Sequence, residues 1–304
     1  MALSVAPSAL AARAAAAYLG VALGDALGAT VEFMTPREIA HDYGVHREIV
    51  GGGWLKLRAG QVTDDTTMSL ALGAAILARR GEVDAFACAQ ALDAWMRAKP
   101  VDIGNTVRRN LLQFRRSGNP VAPPSEHDAG NGAAMRVLPV ALATLGLAEE
   151  RVCAAVRAQA HITHHNAASD AACEFLALTV QDLLRGATLA SPVVAERLRA
   201  LVADFPAFAF RDKPRRENPS GWIVETMQAV LQALTAAEDG EQCLIDIVNR
   251  GGDADTTGAI AGMLCGALYA NWPERWLKAL DTGVRDACVR QAHALLLLPS
   301  GYSG

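Results

Sequence analysis

Aromatic side chains make up only 5% of the 304 residues, and stretches in which β-branched or aromatic residues alternate with polar ones are scarce, which removes the usual mark of strands. Basic residues hold no excess. Lys and Arg number 28 against 32 Asp and Glu, a formal net charge of -4, so the electrostatic footprint expected of a nucleic-acid binder is missing. The six cysteines, Cys88, Cys153, Cys173, Cys243, Cys265 and Cys288, stand far apart without CxxC spacing. That argues against a zinc site and fits free thiols in a reducing cytoplasm. The Ala-rich stretch at residues 8 to 19 lacks a basic n-region and runs into Gly24-Asp25, so neither a signal peptide nor a membrane span is expected.

What the chain has is apolar content, 51% against 20% charged, spaced every three or four residues with Ala and Leu prominent. This predicts an all-α protein with a substantial core, soluble and cytoplasmic. Helices are expected at about 8 to 31, 36 to 43, 65 to 80, 84 to 98, 104 to 116, 131 to 146, 150 to 162, 167 to 186, 191 to 204, 220 to 236, 241 to 250, 255 to 271 and 283 to 297. Irregular stretches separate them at 44 to 63, 117 to 130 and 205 to 219. None is long enough for a linker, so residues 1 to 304 are read as a single domain.

Two acidic-hydroxyl clusters lie nearly 190 residues apart, Thr63-Asp64-Asp65-Thr66 and Asp253-Ala254-Asp255-Thr256-Thr257. Each opens an apolar helical run. One Asp or Thr per terminus is an ordinary N-cap. Several acids at each repel one another unless a cation neutralises them, and carboxylate and hydroxyl oxygens are the ligands that hard divalent ions prefer. The two clusters together therefore predict a shared metal site in which Thr63, Asp64, Asp65, Asp253, Asp255 and Thr256 are the candidates. Gly251-Gly252 would let the second cluster turn tightly.

Four other segments carry polar residues in unusual settings. Gly20, Gly24 and Gly28 recur inside a helix, where glycine is unfavourable unless another backbone comes close. Asp25 within that run is read as a structural acid bonding a neighbouring helix end, and Glu32 at the helix exit is better aimed at a metal-bound water. In Pro100-Val101-Asp102-Ile103-Gly104-Asn105-Thr106, Asp102 has the position of an N-cap, while Gly104 and Asn105 would let backbone and amide meet a ligand. The loop from Ser125 through Glu126, Asp128, Gly130, Asn131 and Gly132 to Met135 offers backbone N–H groups suited to phosphate, with neither a Walker nor a dinucleotide fingerprint. His161-Ile162-Thr163-His164-His165-Asn166 sits at a helix junction, where imidazoles can bond substrate or loops.

In order along the chain, GDALGATVEF, GGGWLKL, QVTDDTTMSLALG, PVDIGNT, EHDAGNGAAMR, ITHHNAASDAA and VNRGGDADTTGAIAGM resemble the motifs of the ADP-ribosylglycohydrolases over nearly the whole length. The resemblance is greatest to the nitrogenase-linked branch. It implies a helical domain holding two divalent cations, Mn²⁺ or Mg²⁺, at the floor of a cleft, with the six cluster residues as ligands. It also implies an ADP-ribose pocket formed by Glu32, Asp102, Asp128, Gly130, Asn131, Gly132 and His164, with Asn105, Glu126, Met135 and Trp222 as further substrate-binding candidates. The chain departs from the family pattern at His165-Asn166, where Asn-His is expected, and at Trp222, where a tyrosine is.

The activity so implied is metal-dependent hydrolysis of the N-glycosidic bond between an arginine nitrogen and ADP-ribose. Its expected substrate is ADP-ribosylated dinitrogenase reductase, and a PII signal protein is a candidate partner. Asp102 is the first choice for the catalytic carboxylate and Glu32 the alternate, a choice the sequence leaves open. Competing readings are a general arginine-ADP-ribose hydrolase reversing toxin or phage modification, and a silent ADP-ribose-binding module. A purely structural helical scaffold would leave the paired acidic clusters unexplained.

Overall fold

Residues 6–298 are described by a computed structural model, and among them fourteen α-helices and no strand are found. The helices are α1 (Pro7–Gly28), α2 (Pro36–Tyr43), α3 (Asp64–Ala78), α4 (Ala85–Arg97), α5 (Asn105–Ser117), α6 (Leu138–Ala143) and α7 (Glu149–Ala160). They continue with α8 (Ala167–Leu184), α9 (Pro192–Asp204), α10 (Ile223–Ala236), α11 (Gly240–Val248), α12 (Ala254–Tyr269), α13 (Glu274–Ala279) and α14 (Thr282–Leu296).

The glycine stripe of α1 explains the centre of the fold. A Cβ built on Gly20 would lie 2.0 Å from the Gly262 carbonyl oxygen, one on Gly24 2.0 Å from that of Gly258, and one on Gly28 2.2 Å from that of Ala254. Helices α1 and α12 therefore run antiparallel in backbone contact, and any side chain at these positions would force them apart. Arg13 of α1 donates to the carbonyls of Ala267 and Leu268 at 2.7 and 2.6 Å, satisfying acceptors left over at the C-terminal end of α12. By length and composition α1 could cross a membrane, yet 67% of its most apolar window is buried inside the protein.

One continuous apolar core runs from Ala14 to Leu295, with α3, α8, α10, α11 and α14 packed around the α1–α12 pair. Two sequence expectations are corrected. The helix foreseen at 131 to 146 shrinks to α6, because Asn131 to Arg136 form turns in which the Arg136 side chain donates to the Gly132 carbonyl at 3.0 Å. The short α13, between Pro273 and Leu280, was not foreseen.

Candidate metal centre and cleft

Because α1 and α12 are antiparallel, the C-terminal end of α1 meets the N-terminal end of α12, and α3 begins beside both. The N-cap of α3 is Thr63, whose side chain does not cap it. The cap comes instead from α1. Asp25, fully buried, accepts from the Thr63 backbone N–H at 2.9 Å and from the Thr66 N–H and hydroxyl at 3.1 and 2.5 Å. The structural role expected of Asp25 is thus observed, and one carboxylate satisfies the orphan donors of a neighbouring helix.

The two acidic clusters then face each other. The Thr63 hydroxyl lies 3.2 Å from Asp65 Oδ2 and 3.3 Å from Asp255 Oδ2, and the Thr256 hydroxyl lies 3.3 Å from Asp65 Oδ2. Residues far apart in sequence share one set of oxygens. On the other side, carboxylate oxygens of Glu32, Asp253 and Asp255 all lie within 4.8 Å of one another. Glu32 accepts from the Trp54 indole N–H at 2.6 Å, and Asp253 from the Asn131 amide at 2.5 Å, which also donates to the Thr226 hydroxyl at 3.0 Å. Backbone bonds fix this rim: Phe33 N–H donates to the Gly252 carbonyl at 2.7 Å and Gly252 N–H to that of Met34 at 3.0 Å. A Cβ on Gly252 would come within 2.1 Å of the Pro219 oxygen, so only glycine fits the turn before Asp253.

Charge accumulates here, and among the described residues no Lys, Arg or His forms an ion pair with these carboxylates. Burial, then the neighbouring acids Asp253, Asp102 and Asp64, push Glu32 up to about 8 despite the Trp54 bond. Burial, Asp102 and Asp25 push Asp64 up to about 7. Asp65, Asp253 and Asp255 are also raised, in each case chiefly by burial. Asp65 Oδ1 is buried with no hydrogen-bond partner. An orphaned carboxylate oxygen amid mutually repelling acids is what a cation would satisfy, and the donor set of carboxylates and hydroxyls, with no thiol or imidazole, suits a hard divalent ion. The fit is to Glu32, Asp64, Asp65, Asp253, Asp255, Thr63 and Thr256.

Above this floor opens a cleft of about 260 Å³ lined by Asp102, Asn105, Gly130, Asn131, Gly132, Met135 and His164 together with Glu32, Asp64, Asp253, Asp255 and Thr256. Thr63 and Asp65 lie just beneath it, buried. Three expected pocket residues fall outside. Glu126 is exposed on its loop. Asp128 is buried but engaged by the Arg109 guanidinium and, at 3.4 Å, by Asn110, so it ties the loop to α5. Trp222 is 47% exposed beyond the lining, where its residue bridges to Gly130. The capping role expected of Asp102 is also corrected. Gly104 is the N-cap of α5, so the Asp102 carboxylate, with no side-chain hydrogen bond among the described residues, faces the cleft unengaged.

Phe33 and Trp54 were missed. Phe33 has φ 63° and lines the cleft, and its ring lies 5.4 Å from that of Trp54; GGGWLKL in the sequence was the available signal for Trp54.

An ADP-ribosylglycohydrolase family model matches residues 6–301. The chain is 49% identical to the ADP-ribosyl-(dinitrogen reductase) glycohydrolase of Rhodospirillum rubrum, across 94% of this chain and 96% of that protein. It is 31% identical to the ADP-ribosylarginine hydrolase Tri1 of Serratia proteamaculans, across 88% of this chain and 75% of that one. A solved structure, of an ADP-ribosylglycohydrolase-related protein complex, superposes with a TM-score of 0.84 at 34% identity, over 97% of this chain and all (100%) of the other. With its convergent acidic clusters and this match over nearly its full length, the chain belongs to the ADP-ribosylglycohydrolase family.

Proposed function

We propose that this protein is a metal-dependent hydrolase that releases ADP-ribose from a modified arginine of a protein, with ADP-ribosylated dinitrogen reductase as the preferred substrate and the cytoplasm as the setting. The observation that carries the reading is the shared oxygen set of Asp65 and Asp255, with Glu32 and Asp253 beside it, beneath a cleft whose wall is rich in glycine and amide groups. Identity of 49% to a glycohydrolase named for dinitrogen reductase supports the choice of substrate.

Two Mg²⁺ or Mn²⁺ ions held by Thr63, Asp64, Asp65, Asp253, Asp255 and Thr256, with Glu32 joining them, would supply the positive charge that orients the ribose oxygens. The rest falls to the chain. Asp102, facing the cleft without a bond of its own, is the carboxylate available to stabilise the cationic ribose carbon as the bond to arginine lengthens, and to take a proton from the attacking water. Glu32 is committed to the floor by Trp54 and its acidic neighbours, so the two carboxylates separate into positioning and chemistry. The backbone N–H groups of Gly130 and Gly132, in the cleft wall, offer donors to the diphosphate, while Asn131 is engaged with Asp253, Thr226 and the Gly221 carbonyl. Asn105 and Met135 complete the wall, and Trp222 at the outer rim is free to meet the protein substrate.

The test is mass spectrometry of arginine-ADP-ribosylated dinitrogen reductase and of an unrelated ADP-ribosylated arginine protein, each incubated with the enzyme in Mn²⁺ or in chelator. Mn²⁺-dependent loss of ADP-ribose, faster on the reductase, is the expected result. Equal rates on both would make it a general ADP-ribosylarginine hydrolase, the activity for which Tri1 is named; no loss from either would end the proposal.

A further inference from the structure

Arg136, last residue of EHDAGNGAAMR, is fully buried, yet no carboxylate is ion-paired with it among the described residues. A guanidinium withdrawn from water without a counter-charge is costly. Its donors go to neutral groups: Nε to Gln159 Oε1 at 2.9 Å, Nη1 to the Gly132 carbonyl at 3.0 Å, and Nη2 to the Gln159 carbonyl at 3.0 Å and the Thr163 hydroxyl at 2.8 Å. The Thr163 hydroxyl in turn lies 2.8 Å from His164 Nδ1.

The direction of each bond follows from the inventory of protons. Arginine can only donate, so the Thr163 oxygen accepts from Arg136. Thr163 is fully buried, and its single proton has no acceptor among its contacts except His164 Nδ1. An Nδ1 that accepts leaves the ring proton on Nε2. That atom has no protein partner among the described residues, and the ring lines the cleft beside the bare Cα atoms of Gly130 and Gly132, where added Cβ atoms would lie 3.0 Å from Nε2 and 2.8 Å from Cε1. Burial and the guanidinium of Arg136 hold the imidazole neutral, down to about 3.

We infer that Arg136 and Thr163 are positioning residues that fix His164 as an Nε2–H donor aimed at an anionic oxygen of the diphosphate, with the unpaired guanidinium adding positive charge behind the glycine wall. This rests on the proposed ADP-ribose substrate, except for the tautomer, which is a property of the free protein. The chemistry recognised is a phosphate oxygen rather than a ribose hydroxyl.

The experiment pairs ¹⁵N NMR of the histidine rings with calorimetric titration of ADP-ribose and of uncharged ribose. The variants are Thr163→Val, which keeps the shape and removes the relay, and Thr163→Ser, which keeps the relay. The His164 signal, assigned by its loss in His164→Gln, should report Nε2–H in the parent and in Thr163→Ser, and a mixture of tautomers in Thr163→Val. ADP-ribose should bind about tenfold more weakly to Thr163→Val, be restored in Thr163→Ser, and show no such difference for ribose. An Nδ1–H signal in the parent, or undiminished ADP-ribose affinity in Thr163→Val, overturns the inference. Failure of the parent to bind ADP-ribose, with the tautomer as expected, would instead count against the substrate and leave the relay standing.

Discussion

Replacing Asp255 by Asn is predicted to have opposite effects on the metal-free and metal-bound protein. Asp255 is 2% exposed, and its carboxylate lies within 4.8 Å of those of Glu32 and Asp253. Two unit charges at that separation repel by about 3 kcal/mol at an effective dielectric constant of 20, an upper limit because raised carboxylates can take up protons instead. Asn removes one such charge. Its Oδ1 can still accept from the Thr256 N–H, a bond of 2.8 Å in the parent, and its amide can donate toward Thr63 or Asp65. In chelator the variant should therefore melt no lower than the parent and up to a few degrees higher. Metal reverses the order. At a hundredfold excess over Kd, an ion that binds only the folded state adds about 2.7 kcal/mol. With an unfolding entropy of about 0.6 kcal/mol/K for a chain of this length, that is a rise of about 4 °C. The parent should show that rise in Mg²⁺ or Mn²⁺ by circular dichroism, and Asp255→Asn should lose most of it. A variant that keeps the full rise, or that melts several degrees lower in chelator, would refute the convergence of the two clusters on a common cation.

The sign of the pH dependence follows from the same groups. Glu32 is raised to about 8 and Asp64 to about 7, well above their unfolded values, so between about pH 4 and pH 8 the folded chain binds more protons than the unfolded one. Stability in chelator, measured as a urea midpoint, should fall as pH rises through that window, and saturating Mg²⁺ should flatten or reverse the slope. Asp102→Asn should lower kcat by about a hundredfold or more while the metal-induced rise in melting temperature stays intact; loss of that rise would make Asp102 a ligand instead. Gly258→Ala sets a Cβ 2.5 Å from the Gly24 oxygen, and separating the two helices should cost about 3 kcal/mol, or about 5 °C in melting temperature. A wild-type melting curve would show that the α1–α12 contact yields more easily than its geometry implies.

Helix content was legible because long amphipathic or apolar runs announce their period. The failures came where local rules gave way to tertiary ones. Six residues of α13 carry too few turns to show a period, and its start depends on Trp276 being buried, its indole donating to the Arg47 carbonyl at 2.9 Å. The apolar segment after Asn131 reads as helix, but its backbone turns to bring Arg136 under Gly132 and Thr163, a network no window of sequence contains. Asp102 sits where a cap is expected, but in the fold Gly104 takes that position. The convergence of the two acidic clusters was legible for a different reason. Several acids at a helix start exceed what capping can use, so their excess pointed to a partner outside the helix. Which of the neighbouring carboxylates joins the floor was not legible, since it depends on Trp54 reaching back to Glu32.

The acidic floor and the glycine stripe are two consequences of one requirement. Raised carboxylates on α3, on α12 and beyond the end of α1 repel unless a cation is present, so the metal-free protein must resist the force that would spread them. Flexible packing would relax by moving the helix ends apart, and the site would lose the spacing a cation needs. From Gly20 to Gly28 the two helices meet backbone to backbone, so no side-chain rotamer between them could yield. Asp25 fixes α3 to the same helix through bonds to Thr63 and Thr66. Thus α1 grips α12 with its glycines and caps α3 with its buried acid, and both clusters are referred to a single rigid element. Substituting Asp25 would then disturb the site through the start of α3, although Asp25 itself does not line the cleft and commits its oxygens to bonds with the protein.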